Sequence, residues 1–442
     1  MQSGSADQGL SQKSKILYFR NMLNLNHEHK AVIYWQTAYL TLVYLYAFTL
    51  PLSVKINAVV FIALAAYWLV YSFRFNFKLK KFFTSPYAKV LAFYLVLLCL
   101  SILVSDNKGN SLKYLTLQTS IFLLPLVFYK KLSPNQTRFC LKLYVLGCIL
   151  ISFFALYKNY TENFNSFAFT AESLGQVDWT YFSYMLPISV KFHAPYFSLY
   201  CCTALIITFW FCLTHIQKRE FWKAGFLGIA SGYLFAFSGV LASRSSLAFT
   251  IIVLTVALLV WGLKERRYVA VLVILSLAPI LAFYTYKKVP YLKSKLESSA
   301  GLDERLTLWE NGLEVIKNNL FLGTGTGDTQ DTLTNTYKEN GFENGVKEEL
   351  NMHNQYLETT VGLGIIGLLT LLSMYFLIFR SAFVQKKIIL ICFISVFSLC
   401  SLTESLLDGR AGVLLFSFIV SLMLLNPMHS ETESRSIEEG SL

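Results

Sequence analysis

LNMHNQYLETTVGLGIIGLL, Leu350 to Leu369, passes within a few residues from a polar stretch into an apolar one, with His353 and Asn354 at the join. Past Glu358 no charged residue occurs until Arg380. About 20 mostly apolar residues suffice for a helix to cross a bilayer, so the segment 355–379 is predicted to span one. Eleven further runs have the same character: 31–51, 56–73, 87–104, 112–129, 141–158, 196–216, 224–243, 245–263, 268–286, 388–403 and 411–426. The expected fold is therefore an all-α polytopic membrane protein of about twelve transmembrane helices.

Composition agrees. Of 442 residues 55% are hydrophobic, 16% aromatic and only 14% charged, which is far more apolar than a soluble domain. The net charge of +12 would suit a nucleic-acid binder, but its distribution has a simpler cause. Basic residues collect in alternate loops: Arg74, Lys78, Lys80 and Lys81; Lys130, Lys131 and Arg138; Lys218, Arg219 and Lys223; Lys264, Arg266 and Arg267; Arg380, Lys386 and Lys387. The intervening loops offer only Lys55, Lys108, Lys158, Lys191, Arg244 and Arg410. Positive charge is retained on the cytoplasmic side, so both termini are predicted to be cytoplasmic and no nucleic-acid partner is expected. The eight cysteines show no C-x-x-C spacing and read as small core hydrophobes.

The chain then divides into a cytoplasmic tail (1–30), nine membrane helices (31–286), an outer loop (287–354), three more helices (355–426) and a second tail (427–442). The outer loop is long enough to hold structure. Within it Leu306, Trp309, Leu313, Ile316 and Leu320 recur at helical spacing, as a helix packed on the membrane domain requires. A second outer stretch covers 159–195.

Ionisable residues buried in a membrane are costly and usually functional. The middles of the twelve runs hold almost none, which argues against an ion-coupled transporter or a flippase with a polar path across the bilayer. Polar residues gather instead at the predicted outer ends: His193, Arg244, Arg305, His353, Glu404 and Arg410. The stretch VLASRSSLAF holds Arg244 in an almost loop-free helical connection, where a guanidinium can fork onto a phosphate or anchor to lipid headgroups. Arg305, in DERLTLW, has Asp303 and Glu304 as local partners. Gly323, Gly325 and Gly327 match no nucleotide-loop pattern and read as a tight turn. His193 and Tyr196 stand at a helix start with Pro195 between them. A histidine at the positive end of a helix is poised to accept a proton, so His353 is the candidate general base, with Asn354 as cap or orienting partner. Glu404 could orient His353 or pair with Arg410.

The stretches SRSSLAF, ERLTLWENGLEVIKNNLFLGTGTGD and HNQYLETTVGLGIIGLL, with FHAPYFSLY and TESLLDGRAG more weakly, resemble in this order the O-antigen ligase and polymerase superfamily of bacterial membrane glycosyltransferases. The resemblance covers roughly residues 190–425. It implies a GT-C-type fold in the inner membrane with the active site facing the periplasm. It also implies an undecaprenyl-pyrophosphate-linked polysaccharide donor, a lipid A-core acceptor and inverting transfer without metal or cofactor. Membrane lipids are the other expected partners. His353 would be catalytic, Arg244 and Arg305 would bind pyrophosphate, and His193, Tyr196, Asn354, Glu404 and Arg410 would bind substrate or orient it. A polymerase or a protein-glycosylating ligase of the same superfamily is the alternative.

Overall fold

A computed structural model of the protein describes residues 27–74, 79–129, 132–164, 179–241, 243–288 and 300–428. Most of the tail 1–30, all but the first two residues of the tail 427–442, and the start of the outer loop lie outside the described residues. The described residues form helices and connections without a strand. In order, the helices are α1 (His27–Thr49), α2 (Val54–Arg74), α3 (Lys80–Phe83), α4 (Pro86–Val104), α5 (Lys108–Phe128), α6 (Pro134–Phe164), α7 (Trp179–Ser189), α8 (Ala194–Gln217), α9 (Phe221–Val240), α10 (Arg244–Lys264) and α11 (Tyr268–Lys288). They continue with α12 (Ala300–Asn318), α13 (Thr329–Glu339), α14 (Glu343–Lys347), α15 (Gln355–Val384), α16 (Ile388–Cys400) and α17 (Arg410–Leu425).

Eight of these, α2, α4, α5, α6, α8, α9, α10 and α15, are long and apolar enough to cross a membrane, and α16 and α17 are shorter apolar helices. The chain is a polytopic membrane protein. α16 and α17 are apolar nearly all round and buried along their lengths, as helices at the centre of a bundle must be. α8 packs against α9 and α10, α17 against α5, and α15 against α4 and α16. Outer helices carry large apolar side chains such as Ile62, Phe226 and Ile229 on exposed surface, which suits contact with lipid.

Lys387, which the sequence placed in a basic loop, is buried. Its Nζ donates to the carbonyl oxygens of Met423 (2.6 Å), Leu424 (3.1 Å) and Asn426 (3.0 Å), satisfying the open end of α17. Burial pushes its pKa down to about 8.

Helix α12 is turned differently from its predicted face. Leu308, Val315 and Ile316 are buried, Trp309 is half-buried, but Leu306, Leu313 and Leu320 are exposed. Gly312 lies between the buried positions and admits the Met352 side chain, which a Cβ there would meet at 2.5 Å or less. Two apolar stripes share this helix, and periodicity alone does not say which one a core takes.

α15 is broken. Gly364, at φ 65° and ψ −168°, interrupts its 30 residues. Residues 320–325 run alongside the break: Thr324 N donates to Val361 O (2.8 Å), Gly325 N to Gly362 O (3.0 Å) and Ile365 N to Leu320 O (2.8 Å). The glycine loop is thus the tight turn its sequence suggested, with Gly323 and Gly325 at positive φ. Asp328 latches it to the start of α5 by accepting from Asp106 N (2.7 Å) and Asn107 N (2.8 Å). Gly364→Ala is expected to destabilise strongly. The backbone conformation alone costs a non-glycine residue about 1–3 kcal/mol, and a Cβ would fall 2.2 Å from Phe321 O, a main-chain atom that cannot swing away. An unchanged unfolding midpoint in detergent would contradict this.

Candidate active site

The site grows from the start of α15. Asn354 is the N-cap, its side chain accepting from Tyr356 N (3.0 Å) and Leu357 N (3.2 Å). Capping stops the helix at once, and the residue before it, His353, adopts a left-handed conformation at φ 44°, uncommon for a side chain with a Cβ. Neighbours hold it there. His353 N donates to Asn351 Oδ1 (3.0 Å), Met352 N to Glu358 Oε2 (2.9 Å), and Trp309 Nε1 of α12 to Met352 O (3.0 Å).

Arg305 lies one helical turn before Trp309 on α12. Its Nη2 donates to Glu404 Oε1 at 2.9 Å, while the other oxygen, Oε2, lies 3.2 Å from His353 Nδ1. The side chains of Arg305, His353 and Glu404 are 26%, 29% and 12% exposed, so the trio is reachable from solvent. Glu404 gets there because α16 ends at Cys400, three residues short of the predicted 403, and the chain turns back. That turn is stitched to α15, Gln355 N donating to Ser401 O (2.8 Å) and the Gln355 side chain accepting from Leu407 N. With its proton on Nδ1, facing the carboxylate, His353 presents a free lone pair at Nε2.

Other predicted residues fall around this trio. Arg244 begins α10; its side chain lies outside the described residues, but Ser246, two residues on, is a neighbour of Cys400 at the end of α16. Tyr196 Oη donates to Ser405 O (3.2 Å), and a Cβ at Gly409 would come within 2.2 Å of it. His193 stands at the N-cap position of α8, exposed, with its ring 5.7 Å from that of Tyr196. Arg410 begins α17 on exposed surface, and Glu404 meets Arg305 and His353 instead of it.

Two acids were missed. Glu358 and Asp408 are neighbours in one cavity wall, and Tyr114 Oη donates to Asp408 Oδ1 (3.3 Å). Glu358 had a signal in the sequence, as the sole acid in the apolar run 355–379; Asp408 had none. Burial, and next the adjacent Glu358 charge, hold the Asp408 carboxyl well above the usual carboxylate range. The folded state therefore keeps a proton that the unfolded chain releases near pH 4. Stability from this group falls as pH rises from there toward the raised value. Asp408→Asn removes the titration and is expected to flatten that decline. Melting curves of wild type and variant that stay parallel from pH 4 to 8 would contradict it.

An all-helical membrane bundle in which a histidine, a carboxylate and a guanidinium meet near the start of one broken helix defines a class: a polytopic membrane protein with a polar, solvent-reachable cluster. Residues 231–372, about a third of the chain, match the family described as O-antigen ligase. The matched segment includes Arg244, Arg305, His353 and Glu358, while Glu404, Asp408 and Arg410 lie beyond it. Comparison with curated proteins gives no match.

Proposed function

We propose that this protein is an inverting glycosyltransferase that moves a polysaccharide from undecaprenyl pyrophosphate to a hydroxyl of lipid A-core, at the periplasmic face of the bacterial inner membrane. Twelve spans with cytoplasmic termini, and a periplasmic lid from 287 to 354, complete the reading. The observation that carries it is Glu404 bridging His353 and Arg305, residues from three separated segments.

The chemistry follows from that bridge. Glu404 orients the imidazole and stabilises the charge it gains when Nε2 takes the acceptor hydroxyl proton. The freed oxygen attacks the anomeric carbon, the bond to pyrophosphate breaks, and the electron pair leaves with the phosphate. A leaving pyrophosphate needs charge compensation, which fixed guanidinium groups supply. Arg305 gives one N–H to Glu404 and retains others for phosphate oxygens; Arg244 is the second cation. The lipid tail of the donor accounts for a site at the membrane rim.

The test is direct. Purified protein in liposomes, given an undecaprenyl-pyrophosphate glycan and lipid A-core, should yield glycosylated lipid A-core that persists in EDTA. Longer lipid-linked chains with no glycosylated core would replace the ligase by a polymerase, and inhibition by EDTA that added metal restores would overturn the guanidinium mechanism.

A further inference from the structure

Between the first turns of α5, the glycine loop and the start of α15 lies a cavity of about 460 Å³, within the range of small-molecule sites, roughly 300–1,000 Å³. Most side chains of its wall are polar, among them Asn110, Lys113, Gln330, Glu358, Asp408 and Arg410. Ligands rich in hydroxyls, which both donate and accept, match a wall of amides and carboxyls.

A further observation narrows the ligand. Two cations, Lys113 and Arg410, stand in the same wall as Glu358 and Asp408. Lys113 donates only to Asn110 Oδ1 (3.2 Å), and Arg410 has no hydrogen bond or ion pair among the described residues. Both cations stay available to an anion.

We propose that this cavity seats the acceptor's reacting sugar unit, an anionic saccharide whose phosphate or carboxylate group lies against Lys113 and Arg410 while ring hydroxyls donate to the Glu358–Asp408 pair. The inference rests on the transferase reading above. Asn351 joins the two sites: it lines the cavity, and its side chain accepts from His353 N. Arg305 and Glu404 are not among the residues lining the cavity, so the acceptor seat and the phosphate-binding cation are separate.

The test uses the full chain in nanodiscs and two probes: a lipid-free core oligosaccharide bearing phosphate, and the same compound after phosphatase treatment. The phosphorylated probe should bind wild type. Lys113→Gln, Arg410→Gln or removal of the phosphate should each weaken binding about tenfold, the scale of a lost charge-assisted contact. In turnover, these variants should raise KM for the acceptor and leave KM for the lipid donor unchanged. A rise in donor KM alone would make the cavity a pyrophosphate site and overturn the proposal, as would equal binding of both probes or displacement by equimolar inorganic phosphate. Binding needs no turnover, so the two readings fail separately. Lys113-dependent binding without product keeps the cavity and sinks the transferase; product with unaltered binding in both variants does the reverse.

Discussion

His353→Ala is expected to abolish glycan transfer while the protein still inserts and folds. A positioned base typically contributes 10²–10⁴-fold, and this one has no substitute among its neighbours: Glu404 is engaged by Arg305, and Glu358 by Met352 N. The backbone at 353 is left-handed, so alanine adds strain of its own. His353→Asn is the cleaner variant, because asparagine tolerates that conformation and keeps a polar side chain without a basic nitrogen. Single-turnover rates with saturating donor and acceptor should fall by about 10² or more in both variants. If either turns over at the wild-type rate, His353 is not the base.

Arg305→Lys should cost about 10²–10³ in turnover, the usual scale for losing one preorganised donor to developing charge. Lysine keeps the positive charge and can reach Glu404, so the His353–Glu404 contact survives. What it loses is the planar fork that meets two phosphate oxygens at once. Glu404→Gln separates the two duties of Arg305. It leaves the guanidinium in place but removes the carboxylate facing His353 Nδ1, and it should shift the pH dependence of turnover, whereas Arg305→Lys should lower the rate at every pH. Lysine at 305 working as well as arginine would refute the phosphate role, and the same expectation applies to Arg244→Lys.

How much of this was legible beforehand differs by residue. His353, Asn354 and Arg305 were visible as a candidate base, a cap and a cation in stretches resembling a known family. Glu404 was visible as a residue but not as a partner, because its contacts lie 99 and 51 positions away along the chain. The Glu358–Asp408 pair was invisible for the same reason, since an acid at a helix end looks like any interface charge until another acid is brought against it. A helix at α12 was recognised, yet Leu306, Leu313 and Leu320 were assigned to the wrong side.

Hydropathy by itself determined that the chain is a helical membrane protein, because bilayer thickness and the need to satisfy every backbone hydrogen bond within a segment leave a spanning run few alternatives. Those constraints are local and can be read along the chain. Only the tertiary structure decided which stripe of α12 faces the core, that α15 breaks at Gly364, and that Glu404 turns back to join an arginine and a histidine. Each of these depends on packing and hydrogen bonds between segments far apart in sequence, where no periodicity records the pairing.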